Sequence, residues 1–344
     1  MAAVVDEPPT PDREREALWR HGLKVDWVGF VLVALWLGFL EIVLDKGQED
    51  DWFNSSFIVI CAIVSVASFL AFVPWELSRD DPIVDIRLIG RRQFGTSFLV
   101  MLTVGAILFG TTQLMPQLLQ ENFGYTATWA GLSLMPGGFT SMTMMIVAGR
   151  VSRFVQPRYM MAGALIGISV AMYHFTNLTP DADFAWFAWA RAYQMAALPF
   201  LFLTITSYSY VNLPPGKSGQ ASALINVARN LGGSIGVSAS QTLLARREQF
   251  HQARLAEHFS PSSLAYGQTL KLAAANFARH GTAAADAQHQ AVAWIGQTLM
   301  NQAAFLSYID VFAALSLFAL LLVPMAFLLQ RIDLQSPDQA KALH

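Results

Sequence analysis

Charge is what this sequence has least of. Only 13% of its 344 residues are Asp, Glu, Lys or Arg, about half the ~25% of an ordinary soluble domain. The 22 basic and 24 acidic side chains leave a net charge of −2, so the chain lacks the basic footprint of a nucleic-acid binder. Cysteine is nearly absent: with Cys61 alone, neither an internal disulfide nor a thiolate metal cluster can form. His251, His258, His280 and His289 lack compact metal-ligand spacing. H-E-x-x-H, G-x-S-x-G, a Walker loop and paired-cysteine motifs are missing. An intramembrane enzyme is therefore the weakest reading, and an ATP-driven pump would need a partner to supply the ATPase. No small-residue cleavage site follows the first apolar run, so that run should remain as an anchor rather than a signal peptide.

What fills the chain is apolar. Hydrophobic residues make up 54% of it, and the mean hydropathy is +0.41. Eight long runs, each near the ~20 residues a helix needs to cross a bilayer, predict spans at Trp27–Leu44, Phe57–Glu76, Ser97–Leu119, Trp129–Gly149, Tyr159–Leu178, Phe184–Tyr208, Ala221–Ala245 and Phe305–Leu329. Backbone polar groups in hydrocarbon need internal partners, and runs of this length meet that need as helices. The expected fold is an all-α polytopic membrane protein with eight transmembrane helices. Its divisions are a polar, Pro-rich connector at 1–25, two transmembrane helices within 26–76, a loop at 77–96, five helices within 97–245, a long loop at 246–304, a last helix at 305–330 and a tail at 331–344.

Lys and Arg set the expected orientation. Arg79, Arg87, Arg91 and Arg92 follow the second span, Arg150, Arg153 and Arg158 the fourth, and Lys217 the sixth, whereas the alternate short loops hold only Lys46. The basic side is then cytoplasmic, as are both termini. The long loop falls outside, where Tyr266, Leu270, Ala273, Ala274 and Phe277, and again Val292, Ile295, Leu299 and Gln302, recur at helical spacing. They predict two amphipathic helices, which either cover helix ends or dock a partner.

Ionisable and polar groups inside such spans are functional candidates, because burying them in lipid is expensive. Asn226, Arg229, Asn230 and Gly233 share one face of the seventh span with Ser222. That stripe either lines a substrate path or bonds helices together. Arg191 and Gln194 lie in the sixth span and Asp310 in the eighth; an Arg191–Asp310 ion pair is one expectation, snorkelling to the interface the other. Gln113 and Gln117, with Gln120, recur near the end of the third span beside Pro116, where uncharged amides suit a lipophilic cation or an aromatic compound, or neighbouring helices. Gly131, Pro136, Gly137 and Gly138 predict a kink or a close helix approach in the fourth span. Glu41 reads as an interfacial carboxylate and His174 as packing.

The stretches Leu44–Phe53, Asp80–Ile89, Pro116–Gly138 and Ser222–Ser238 resemble the EmrB/QacA drug:proton antiporters of the major facilitator superfamily, and are close to EmrB-like members. The resemblance runs from about Asp26 onward, in order. It implies a fourteen-helix transporter of which this chain carries the two central helices and the C-terminal six-helix half. It implies a bacterial inner-membrane location, export of hydrophobic drug-like compounds, a proton gradient as energy source with no cofactor, and a periplasmic adaptor and an outer-membrane channel as partners. Gly149, Arg150 and Arg158 match the C-terminal echo of the family's first-half loop motif, while Arg153 stands where an acid is often found. The expectation is a chain incomplete without an N-terminal half or a second copy, since one half offers half a cavity. The alternative is an inactive or regulatory membrane fragment that binds partners without transport.

Overall fold

The computed structural model describes residues 26–79, 82–210, 213, 217–259 and 263–327. The expected connector at 1–25 and tail at 331–344 lie outside these residues. Among the described residues there is no strand. The helices are α1 (Trp27–Lys46), α2 (Ser56–Ser78), α3 (Arg92–Glu121), α4 (Ala127–Leu132), α5 (Met135–Val151), α6 (Pro157–Phe175), α7 (Phe184–Tyr210), α8 (Ser218–His258), α9 (Leu264–Arg279), α10 (Ala284–Leu321) and α11 (Val323–Ala326).

Local chemistry sets several boundaries. Asp26 caps α1, its Oδ1 accepting the Gly29 N–H at 3.0 Å, which satisfies an orphan donor of the first turn. The fourth apolar run breaks into α4 and α5 at Ser133–Leu134, and Pro136 starts the new helix. A proline has no N–H to continue the old helix but tolerates the first turn of the next. The Ser133 hydroxyl donates to the Ala130 carbonyl at 2.6 Å, satisfying one acceptor at the break.

Among the described residues, five helical units qualify by length and apolar composition to cross a bilayer: α1, α2, α3, α4 with α5, and α10 with α11. Eight crossings are expected from the runs. Polar residues such as Arg191 and Gln194 in α7 and Asn226, Arg229 and Asn230 in α8 dilute the remaining helices, which nevertheless pack into the same bundle.

The largest departure from expectation lies at 246–304. The seventh run does not end its helix at Ala245: α8 has 41 residues, about 60 Å at ~1.5 Å per residue, roughly twice a ~30 Å hydrocarbon core. α10 begins at Ala284 and has 38 residues. Of the two expected amphipathic helices, the first is α9, whereas Val292–Gln302 is the opening of α10 itself. Residues 246–258 contain neither Gly nor Pro, so nothing breaks the helix where its apolar run stops.

The closest packing is that of α3 on α8. Gly232 and Gly236 form a G-x-x-x-G pair on α8. A methyl group at Gly232 would run into the Leu102 backbone, and one at Gly236 into the Ala106 backbone. Across the same interface, a methyl at Gly105 would meet the Arg229 backbone. Small residues let helix backbones approach where lipid offers no hydrophobic driving force between helices. α5 and α6 pack on α7, and α6 and α8 pack on α10, around a core that includes the stacked Phe175 and Phe312 rings, centroids 4.7 Å apart. α1 and α2 form a hairpin with a small core of its own, Val43, Ile58 and Cys61. Ser65 Oγ donates to the Trp36 carbonyl at 3.0 Å within it. The outward faces carry Phe30, Ile60, Ile63, Val66, Phe139 and Met142, as a lipid-facing surface requires.

Gly236→Leu should separate α3 from α8 and destabilise the chain by about 3 kcal/mol or more, the upper range for overpacking. Gly138→Ala should change little, since nothing lies within 4 Å of its added methyl. Thermal melting of the purified chain in detergent checks both.

Candidate transport site

The polar residues inside the bundle fall into separate groups. The most buried one joins α7 to α3. Arg191, 5% exposed, donates from Nη1 to Gln194 Oε1 at 2.6 Å and from Nη2 to Thr112 Oγ1 at 2.7 Å. Gln194 Nε2 donates to Thr111 Oγ1 at 2.5 Å. Both threonine hydroxyls donate back to α3 carbonyls, Thr111 to Ile107 at 2.8 Å and Thr112 to Leu108 at 2.6 Å. Gly137 makes room for the arginine: a methyl there would lie 2.9 Å from Arg191 Cγ and 2.8 Å from Met195 Cγ. Gly137 is thus a close approach, whereas Gly131 and Gly138 face open space.

The Arg191–Asp310 ion pair does not form. Asp310 Oδ2 instead accepts from Arg247 Nε at 2.6 Å and lies 2.6 Å from His251 Nε2. Both partners belong to the part of α8 beyond Ala245, where hydropathy alone ends the helix. Arg191 is left as a buried cation on neutral acceptors, with no carboxylate in ion-pair range among the described residues.

The α8 stripe forms the second group. The Asn226 amide donates to the Ser222 carbonyl one turn back, at 3.0 Å. Asn226 and Asn230 are exposed. Arg229 is half-buried, and its Nε has no hydrogen-bond partner. Gly233 accommodates the Phe109 ring, 2.9 Å from where a methyl would stand. One turn beyond Asn230, the Ser234 hydroxyl donates to Glu41 Oε2 at 2.6 Å. The α1 hairpin therefore reaches the stripe, and Glu41 is a contact between helices. Glu41, Asp45, Phe109, Gln113, Asn230 and Ser234 border a cavity of about 440 Å³ between α1, α3 and α8.

The glutamines on α3 divide. Gln113 faces that cavity, whereas Gln117 borders a second one of about 390 Å³. There Gln117 Oε1 accepts from Gln241 Nε2 at 2.7 Å, its amide donates to Glu121 Oε1 at 3.1 Å, and Tyr308 OH donates to Glu121 Oε2 at 2.9 Å. Gln120 bonds only back to the Pro116 carbonyl, at 3.1 Å.

At the other end of the bundle, Gly149 and Arg150 close α5. The Gly149 carbonyl accepts the Ser152 hydroxyl at 2.9 Å, and the Arg150 cation suits the carbonyl-rich helix end. Arg158 donates to Tyr159 OH at 2.8 Å, while its Nε has no partner. His174 stacks on Trp186 at 5.2 Å and meets the edge of Tyr193 at 5.9 Å, a packing role.

An apolar helical bundle with a buried arginine network and an open polar stripe has the make-up of a polytopic membrane protein. Residues 22–237 match the Major Facilitator Superfamily, and the chain belongs to that family. It is 35% identical over 294 residues to the multidrug export protein EmrB of Escherichia coli (strain K12), covering 84% of this chain and 55% of that protein. It is 36% identical over 238 residues to the EmrB of Haemophilus influenzae, covering 69% and 47%. It is 30% identical over 303 residues to the fatty acid resistance protein FarB of Neisseria gonorrhoeae, covering 88% and 58%. The chain spans about half the length of these curated relatives.

Asp310→Asn should release the far part of α8 from α10. The pair is one-third exposed on each side, so the expected loss is about 1 kcal/mol. Hydrogen exchange should quicken at residues 247–258 while the α3–α8 crossing stays protected.

Proposed function

We propose that this chain supplies the C-terminal portion of a multidrug efflux secondary transporter that exchanges hydrophobic toxic compounds for protons. The observation that carries the reading is the α8 stripe. Asn226 and Asn230 are exposed, and Arg229 Nε is unpartnered, on a helix whose Leu224, Ile225 and Ala228 are buried in the apolar core. A transporter cavity needs such polar groups on one face of each half. Similarity to export and resistance proteins over most of the chain supports the same reading.

A charge left against lipid costs at least ~2.5 kcal/mol by insertion scales. In this reading the stripe is completed by an N-terminal half or by a second copy. The energy source is the proton gradient, without a cofactor. The chain sits in a bacterial inner membrane with its basic loops and both termini in the cytoplasm. The far part of α8, α9 and the opening of α10 form the external surface for a periplasmic adaptor and, through it, an outer-membrane channel. The open face also favours a second reading, a regulatory fragment that binds partners without transport.

Co-expression with a matching N-terminal half should restore drug resistance to a sensitive strain, and Arg229→Ala should abolish that rescue. Resistance conferred by this chain expressed alone, with the chain purifying as a monomer, would overturn the proposal. A bound N-terminal half that confers no resistance would favour the regulatory reading.

A further inference from the structure

The acid buried most deeply in the hairpin lies outside the polar groups above. Glu76, in the last turn of α2, is 2% exposed, and neither carboxyl oxygen has a hydrogen-bond partner. Its surroundings are well defined. Asp26, the cap of α1, is close by: a methyl on Gly29 would lie 2.6 Å from Glu76 Oε1 and 2.9 Å from Asp26 Oδ2. Gly29 therefore holds the two carboxyl groups against the same point of the α1 backbone.

The two acids are treated differently. Asp26 accepts the Gly29 N–H and, on Oδ2, the Trp75 indole N–H at 2.9 Å. The Gly29 hydrogen bond first, and the Trp75 bond with it, hold its carboxyl below the ordinary carboxylate range against the opposing effect of burial. Asp26 is thus the ionised member. Glu76 receives no side-chain donor. The Ile83 and Val84 amides lie toward it without closing a hydrogen bond. The nearby cation, Arg79, lies over the Trp75 ring at 4.8 Å from its centroid. On the loop packed against this end, Arg87 donates to the Leu77 carbonyl at 2.7 Å, and Asp85 pairs with Lys217 at 3.1 Å. Arg79 also attracts both carboxylates, whereas Arg87 and Lys217 are bonded elsewhere.

Burial without a closed hydrogen bond, beside a second carboxylate that is ionised, favours the neutral form of a carboxyl group. We propose that Glu76 is a proton-binding group, which carries its proton while the ends of α1 and α2 are packed and releases it to water when they part. The site lies on the side of the basic loops. It deepens the proton-exchange reading and rests on that reading for its purpose, although the protonation can be measured in this chain alone.

Linkage gives the sign. If folded Glu76 keeps a proton that the unfolded chain has lost, the folded state binds more protons, and stability falls as pH rises from the ordinary glutamate value up through the folded one. The full chain in lipid nanodiscs should show a protonated-carboxyl C=O band in infrared spectra at neutral pH. That band should disappear in Glu76→Gln and shift in Glu76→Asp. Glu76→Gln should also flatten the fall of melting temperature with rising pH and become the more stable chain at alkaline pH. If that variant fails to fold, the native band and its shift in Glu76→Asp still decide. A native chain with no such band, or a band and pH profile unchanged in either variant, would overturn the proposal. Failed resistance in co-expression would leave these spectra as they are, so the two readings fail separately.

Discussion

The backbone contact between α3 and α8 is the constraint on which the rest depends. Between helices in lipid, burying apolar surface gives no advantage over contact with acyl chains, so close van der Waals packing has to hold them together. Gly105, Gly232 and Gly236 provide it by removing the side chains that would keep the two backbones apart. Once that crossing is set, the rotation of α8 about its axis is set with it. Asn226 is then exposed, Asn230 borders the cavity between α1, α3 and α8, Ser234 meets Glu41, and Arg247 and His251 come alongside Asp310.

The two intramembrane arginines of the bundle are handled in opposite ways. Arg191 is enclosed, with two neutral oxygens and a backing glycine shaped to it. Its charge is solvated by protein dipoles, which suits a structural element joining α3, α5 and α7. Arg229 is left with an unpartnered Nε on a helix face whose asparagines are exposed. An unmet donor in a low-dielectric setting is costly, which is why such groups mark functional surfaces rather than packing. The distinction separates the two candidates better than their shared residue type.

Much of the fold is legible in the sequence, because run length and backbone satisfaction leave few alternatives to helices. The errors come from equating hydropathy with helix. α8 and α10 outlast their apolar segments, so 246–304 reads as a loop with two short helices when its second half is the start of α10. The same error hides Arg247 and His251 from Asp310 and leaves Arg191 as its supposed partner. The kink at Pro136 is visible because proline acts locally. The roles of Gly137 and Gly131 are not separable in sequence, since only the approach of Arg191 distinguishes them. The G-x-x-x-G spacing of Gly232 and Gly236 was available as a signal for the α3–α8 crossing. Glu76 marks the end of a span in the sequence, and its lack of partners depends on Asp26, Gly29 and the 82–89 loop, which are distant or irregular.

The first hairpin bears most on mechanism. If α1 and α2 served only as a spacer, their polar residues would face water at the ends. Instead Glu41 reaches the α8 stripe from within α1, and Glu76 is buried under the loop that Asp85 and Gln220 tie to α8. One acid touches α8 at Ser234, and the other lies beneath residues held at its start, by Lys217 to Asp85 and by Gln220 to the Pro82 carbonyl. A shift of the hairpin against α8 would alter both contacts at once. α8 is in turn held to α3 by contact between backbones, whereas it meets the hairpin through the Ser234–Glu41 hydrogen bond and the loop after α2 through Lys217–Asp85 and Gln220–Pro82.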